Sequence, residues 1–573
     1  MYEIRNKIVC RDLVCRDRGL MFSYKRLLAS LFLAGLSLDC IAQDAHGGYR
    51  VDGWQITPRL SIGTTYSDNI RLVPDDTESD AVFQVDPGIS LRKKGGRLNL
   101  RLDYTAQSLF YNNNSDSNQV NNNLLTFGTA ELYQDHLFLD GYGSISQAAV
   151  ASNGRVDVGD LGALSNLGLF GNIALNVLPM ASDILSPIDI FSDIALTDNQ
   201  TTESTFGISP YWRQDINNWV EVLLRYRYED VSYSRTDSPD QESNKLSDSQ
   251  INSVDFDLNS GRNFDALNWS LKYFYLKQDS QKNNDTEDDE DNRQEKIVGR
   301  SDYQLNKSWM LVAESGYIDN KSTTFSDYDN GFYWGLGATW KPSYHYSLTG
   351  LYGLNYNSIA LQWNPSSRTN LAINRSYQGV GYSPGVYWNG SFNHRTRFSV
   401  WSASYTQEVT TSQQLASNTL TEVGSDGQSI VLNDQGGTAS NSVLGLSNEQ
   451  FMRKYFNLSA TYLRGRTGLT LSGFSENREF EDSLQNEKSY GVGTLWTWRF
   501  APRTASFLGA GWGHDDLSAD QQNDYWLSLI GLAQIFSPDM GGLISYRRYQ
   551  NDADSTDKGF RENRVNVRFS IKF

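Results

Sequence analysis

The final strand-like segment alternates without a break: Val565, Val567, Phe569, Ile571 and Phe573 share one side, and Asn566, Arg568, Ser570 and Lys572 the other. Successive side chains of a strand point to opposite faces, so this stretch has one apolar and one hydrophilic face. A strand of about ten residues with that pattern suits the wall of a transmembrane β-barrel, where lipid touches one face and a watery lumen the other. A soluble β-sandwich also uses alternating strands, so the rest of the chain has to decide. An aromatic carboxy-terminus on such a strand has the form of a signal for the bacterial barrel-assembly machinery, with Phe573, Phe569 and Val567 as the candidate targeting residues.

The other end reads as an export signal. Lys25 and Arg26 precede the apolar run Leu27 to Leu36, which is too short to span a bilayer. Cys40-Ile41-Ala42 offers small residues for a signal peptidase, so residues 1–42 are expected to be a signal peptide cleaved after Ala42, with Met21 as the expected true start. The alternative is a lipoprotein with Cys40 lipidated, against which Asp39 stands where a small residue is required. Cleavage would remove Cys10, Cys15 and Cys40, all three cysteines of the chain. It would leave 43 Lys and Arg against 63 Asp and Glu, a net charge of −20 that argues against nucleic acid as a partner.

Mean hydropathy is −0.51, yet aromatics make up 13% of the chain. A helical membrane protein cannot have that average, whereas a barrel hides its hydrophobicity in every second residue and concentrates aromatics in interfacial girdles. Segments of period two recur from residue 54 onward and predict an all-β fold, a transmembrane antiparallel β-barrel of about 22–24 strands. The lower number fuses the short pair around 357–376 into irregular structure. The clearest strand sets Val220, Val222, Leu224, Tyr226 and Tyr228 against Glu221, Arg225, Arg227 and Glu229.

Short connections rich in turn formers, such as Lys94-Gly95-Gly96, Lys341-Pro342-Ser343, Ala501-Pro502 and Ser537-Pro538, are assigned to the periplasmic side. Residues 43–53 form a short periplasmic lead-in, and 54–573 the barrel. One connection, 149–201, is out of scale. Leu161, Leu164, Leu167, Phe170 and Ile173 recur there at helical spacing, which predicts a partly helical insertion, either a lid over the lumen or an external packed loop. The acidic run Asp285 to Asp291 reads as a solvated loop, with divalent-ion bridging to lipopolysaccharide as the alternative.

Catalytic and cofactor motifs are missing from the sequence. The five histidines form no H-E-x-x-H, no G-x-S-x-G occurs, and His514-Asp515-Asp516 is the one lead toward a loop-borne hydrolase. The G-x-G triplets at Gly335–Gly337, Gly491–Gly493 and Gly511–Gly513 sit inside predicted strands, where glycine relieves crowding beside wide rings. No cofactor and no metal site are expected. The candidate lumen-facing residues are Arg225, Arg227, Arg568 and Lys572, which with Glu221 and Glu229 make a wall of mixed sign.

Several segments together resemble the outer-membrane β-barrel family associated with PEP-CTERM and exosortase systems. They are Ile56-Thr57-Pro58-Arg59-Leu60-Ser61 with Tyr66-Ser67-Asp68-Asn69, Pro87-Gly88-Ile89-Ser90-Leu91 and Ile208-Ser209-Pro210-Tyr211-Trp212-Arg213. Further along come Trp340-Lys341-Pro342-Ser343, Trp363-Asn364-Pro365-Ser366 and His394-Arg395-Thr396-Arg397 leading into Trp401-Ser402-Ala403-Ser404-Tyr405. Asn448-Glu449 with Arg453-Lys454, Trp496-Thr497-Trp498-Arg499-Phe500 with Pro502-Arg503-Thr504, and Glu562-Asn563-Arg564-Val565 complete it. The 149–201 insertion is longer than the family pattern, and the repeated Trp-x-Pro-Ser suggests a duplicated hairpin.

The resemblance implies an outer-membrane location beside exopolysaccharide production and supplies no catalytic residues. The sequence therefore predicts a non-enzymatic barrel serving exopolysaccharide biosynthesis or export. Its expected partners are outer-membrane lipid and lipopolysaccharide, the assembly machinery, and the exopolysaccharide with its export proteins. A general diffusion porin is the first alternative, and a surface adhesin or loop-borne hydrolase the second.

Overall fold

A computed structural model describes residues 49–573, apart from 151–193, 198, 235–245, 282–289, 323–328, 424–429, 433–443, 481–485, 519–520 and 555–558. The expected signal peptide, the apolar helical-period segment at 161–178 and most of the acidic run lie outside the described residues.

Among the described residues, 24 antiparallel strands form a closed barrel running from Trp54–Ser67 to Phe560–Lys572. The first and last strands close the ring through nine consecutive pairs, from Arg59 opposite Lys572 to Ser67 opposite Arg564. Closure leaves no unpaired edge, the condition for strands in hydrocarbon. The region around 357–376 is not irregular: Tyr346–Gly353, Tyr356–Ser366 and Thr369–Gln378 are all strands of the ring. They are short, eight to eleven residues, because a two-residue connection at Leu354 and Asn355 folds the chain straight back.

Connections at one rim are two to six residues long, and both ends of the barrel chain lie there, with Phe573 N–H donating to Pro58 C=O at 3.0 Å. Asn217 and Asn218 turn one of these hairpins with φ of 52° and 60°, a left-handed conformation that asparagine tolerates. The two Trp-x-Pro-Ser segments occupy equivalent places. Each ends a strand in a register shift, between Trp340 and Ser343 and between Trp363 and Ser366, and each proline lies inside its bulge, where no ladder N–H is needed.

The outer face is apolar and graded. Along Gly331–Ser343, exposed Phe332 and Trp334 lead to exposed Leu336 and then Trp340 near the turn rim, so rings flank an aliphatic middle. Val565, Val567, Phe569 and Phe573 are exposed on the same surface, as their alternation predicts.

The inner face carries a recurrent device. Phe507 faces Gly531, Tyr525 faces Gly513, Tyr142 faces Gly207, Tyr333 faces Gly316 and Phe474 faces Gly491, each as direct cross-strand partners. A methyl group added at any of these glycines would lie 2.1–2.7 Å from the opposing ring. The rings are buried because they lie flat across neighbouring backbone, the arrangement known to protect glycine in sheets. Two of the G-x-G triplets thus relieve crowding as expected, although the rings concerned are inward Phe474 and Tyr525.

Candidate functional site: the lumen and its strap

Alternation sends Arg568 inward, where it is 0% exposed. Its guanidinium reaches over the first strand to Gln84 and Asp86 on the second. The register explains the reach: Gly63 sits between Arg568 and Gln84 and has no side chain to block it. Arg225 behaves alike, crossing one strand to donate to Asp140 at 2.9 Å and to Ser209 at 3.1 Å while lying over the Tyr211 ring. Arg227 is half-buried, 3.9 Å from Asp255, and Lys572 is half-buried at the turn rim. The four predicted basic residues are therefore dispersed around the wall, two of them locked in buried pairs. They do not converge on one ligand.

His514-Asp515-Asp516 is split by the same alternation. His514 Nδ1 lies 3.0 Å from Asp524 Oδ1 beside the Tyr490 ring, whereas Asp515 accepts from Ser489 on the buried face. No hydrolytic constellation forms from these three residues.

The inner wall is uneven. Over strands Tyr346–Gly353 to Ser399–Thr410, Leu351, Tyr356, Tyr387 and Glu408 face inward nearer the long-loop rim, while the inward residues at mid-height are small and uncharged. A cavity of about 530 Å³ lies against them, lined by Ser347, Gln362, Asn374, Asn389, Ser391 and Ser404 among others. Strands Asn486–Ala501 to Met540–Ala553 instead turn buried Leu495, Phe507, Leu527, Leu529 and Leu543 inward. Most charged pairs lie on the other strands, and Glu408, Glu487 and Arg547 bring partners from the two arcs into them.

Of the connection that leaves strand Ser399–Thr410 and returns as Phe451–Arg464, the described ends 411–423 and 444–450 pack over the long-loop rim. Thr411 Oγ1 and Gln414 Nε2 both donate to Gln278 Oε1, at 3.2 and 2.9 Å, eight strands away around the ring. The short helix Ser412–Leu420 packs on strands Leu137–Ala149, Gln200–Ile216 and Val220–Tyr233. Ala416 and Leu446 join Val150, Val231, Tyr233 and Leu246 in an apolar cluster, and Leu446 N–H donates to Val150 C=O at 2.9 Å. On the near side Arg478 Nη1 donates to Gly445 C=O at 2.7 Å, and Glu476 holds both Arg478 and Arg453. The segment is a strap across the mouth.

The sequence left 149–201 as either a lid over the lumen or an external packed loop. The described end of that connection does fold inward, Ile194 packing on Ile70, Val82, Leu109 and Tyr111, while 151–193 lies outside the described residues. The strap was missed because 411–450 is mostly polar and its apolar residues follow no helical or strand period. The signal it offers is scattered apolar residues, among them Leu415, Ala416, Leu444 and Leu446, in a stretch rich in Ser, Gln and Asn.

No protein-family model and no curated protein matches the chain. Among solved structures it is similar to the siderophore receptor PirA from Pseudomonas aeruginosa, at 9% identity over 90% of this chain and 80% of that one, with a TM-score of 0.41. It is also similar to the FrpB iron transporter (F5-1 variant) from Neisseria meningitidis, at 10% identity over 92% and 83%, TM-score 0.44. A mutant of the ferric enterobactin receptor PfeA from Pseudomonas aeruginosa, in complex with enterobactin, matches at 9% identity over 92% and 82%, TM-score 0.45. The class follows from the barrel itself. A closed ring of strands with an apolar, ring-flanked outer face, around an inner face that carries most of its buried polar and charged groups, is an outer-membrane β-barrel, and its place is the bacterial outer membrane.

Proposed function

We propose that the barrel is a conduit for an exopolysaccharide, working beside the export proteins of a PEP-CTERM type system. The observation that supports this is the uncharged lining of the inner arc at mid-height. Hydroxyl and amide groups without charge can exchange hydrogen bonds with a neutral hydroxylated chain at many weak sites, which favours passage over retention. The strap keeps that path shut until a partner or substrate displaces it, so leakage of small solutes is low. Phe573, Phe569 and Val567 serve assembly: deletion of Phe573 should reduce the amount of heat-modifiable barrel in outer membranes.

The test is made in the source bacterium. Deleting the gene should lower surface polysaccharide, and a copy carrying Asn374→Asp and Ser391→Asp should insert normally yet fail to restore it. Unchanged polysaccharide on deletion, with slower uptake of small solutes, would replace this reading with that of a diffusion porin.

A further inference from the structure

Glu203 is 0% exposed, faces inward near the long-loop rim, and neither carboxylate oxygen has a hydrogen-bond partner. A buried carboxylate without a cation is strongly unfavourable unless something neutralises it. Its cross-strand neighbours are Ser146 on one side and Tyr233 on the other, and the next inward pair is Ser144 opposite Thr205. All four hydroxyl oxygens are buried and unpartnered as well. The strap helix packs on these same strands, and it adds Gln413 Oε1 and Ser417 Oγ, both buried and unpartnered. Every one of these groups is an oxygen, with a single negative charge among them.

We infer that Glu203, Ser144, Ser146, Thr205 and Tyr233 form a site for a hard metal cation beneath the strap. One carboxylate with several neutral oxygens is a donor set for a sodium-like or calcium-like ion, and it excludes soft metals, which select sulfur and imidazole. The cation would neutralise Glu203 and tie the wall to the strap through Gln413 and Ser417. Mouth closure would then respond to the ion.

The test uses the refolded full barrel in detergent after chelation. Thermal midpoints are measured by circular dichroism in choline chloride, then with sodium chloride or calcium chloride replacing it at constant ionic strength. The wild type should be stabilised in a saturable way by one of the two salts, as expected for a ligand that binds only the folded state. E203Q should fold to the same heat-modifiable species, be no less stable in choline, and bind that cation at least ~10-fold more weakly. T205V should weaken binding by a smaller factor. If neither salt moves the wild-type midpoint, or if E203Q responds like the wild type, the site is a protonated or hydrated carboxyl group and the inference fails.

Discussion

Arg568 and the glycine–ring pairs show how single residues decide what the inner wall looks like. Arg568 depends on Gly63, and Phe507 depends on Gly531, because in each case a long or wide side chain uses the space a missing Cβ leaves on the neighbouring strand. Gly531→Ala should destabilise the barrel by about 1–3 kcal/mol through overpacking, read from urea unfolding in micelles. In a Phe507→Leu background the same change should cost less, and equal costs in both backgrounds would show that the ring does not lie on the glycine. Arg568→Ala leaves buried Asp86 without its partner, for a loss of about 3–5 kcal/mol. Adding Asp86→Leu should recover most of it.

At the scale of elements, face alternation is what the sequence displayed most openly. The closing strand and Val220–Tyr233 put Arg568, Arg225 and Arg227 inward and Val567, Leu224 and Tyr226 outward, as read from period two alone. Leu223 escapes that pattern: it is 7% exposed and inward, an apolar residue where a polar one was expected. Strands with apolar residues on both faces, such as Gln521–Ser537 with Leu527 inside and Ile530 outside, give no clue to which side meets lipid. Neighbouring residues of one strand offer a direct check. Ile359→Arg, on the outer face, should cost about 2–4 kcal/mol at mid-bilayer depth, whereas Ala360→Arg projects into the cavity and should leave insertion intact. Similar losses for both would mean that the strand is rotated from the described register.

For the whole molecule, strand number and closure were legible in the sequence, because each hairpin is a local event with its own turn residues. The strap was not, since its anchors at Gln278, Val150 and Arg478 lie far away in sequence, and hydrogen bonds among Thr, Gln and backbone groups leave no periodic trace. The uncharged arc escaped notice for a related reason. Ser347, Gln362, Asn374, Ser391 and Ser404 are unremarkable singly and form a surface only when five strands align. The strap formed by 411–423 and 444–450 is expected to shut this wide barrel at its long-loop rim. Single-channel recording in planar bilayers tests it most directly, comparing the intact protein with one in which residues 412–448 are replaced by a short Gly-Ser linker. The intact barrel should show rare, small openings and the strapless one a steady conductance at least ~10-fold larger, in line with the open lumen of a large barrel. Equal conductance in the two proteins would contradict it.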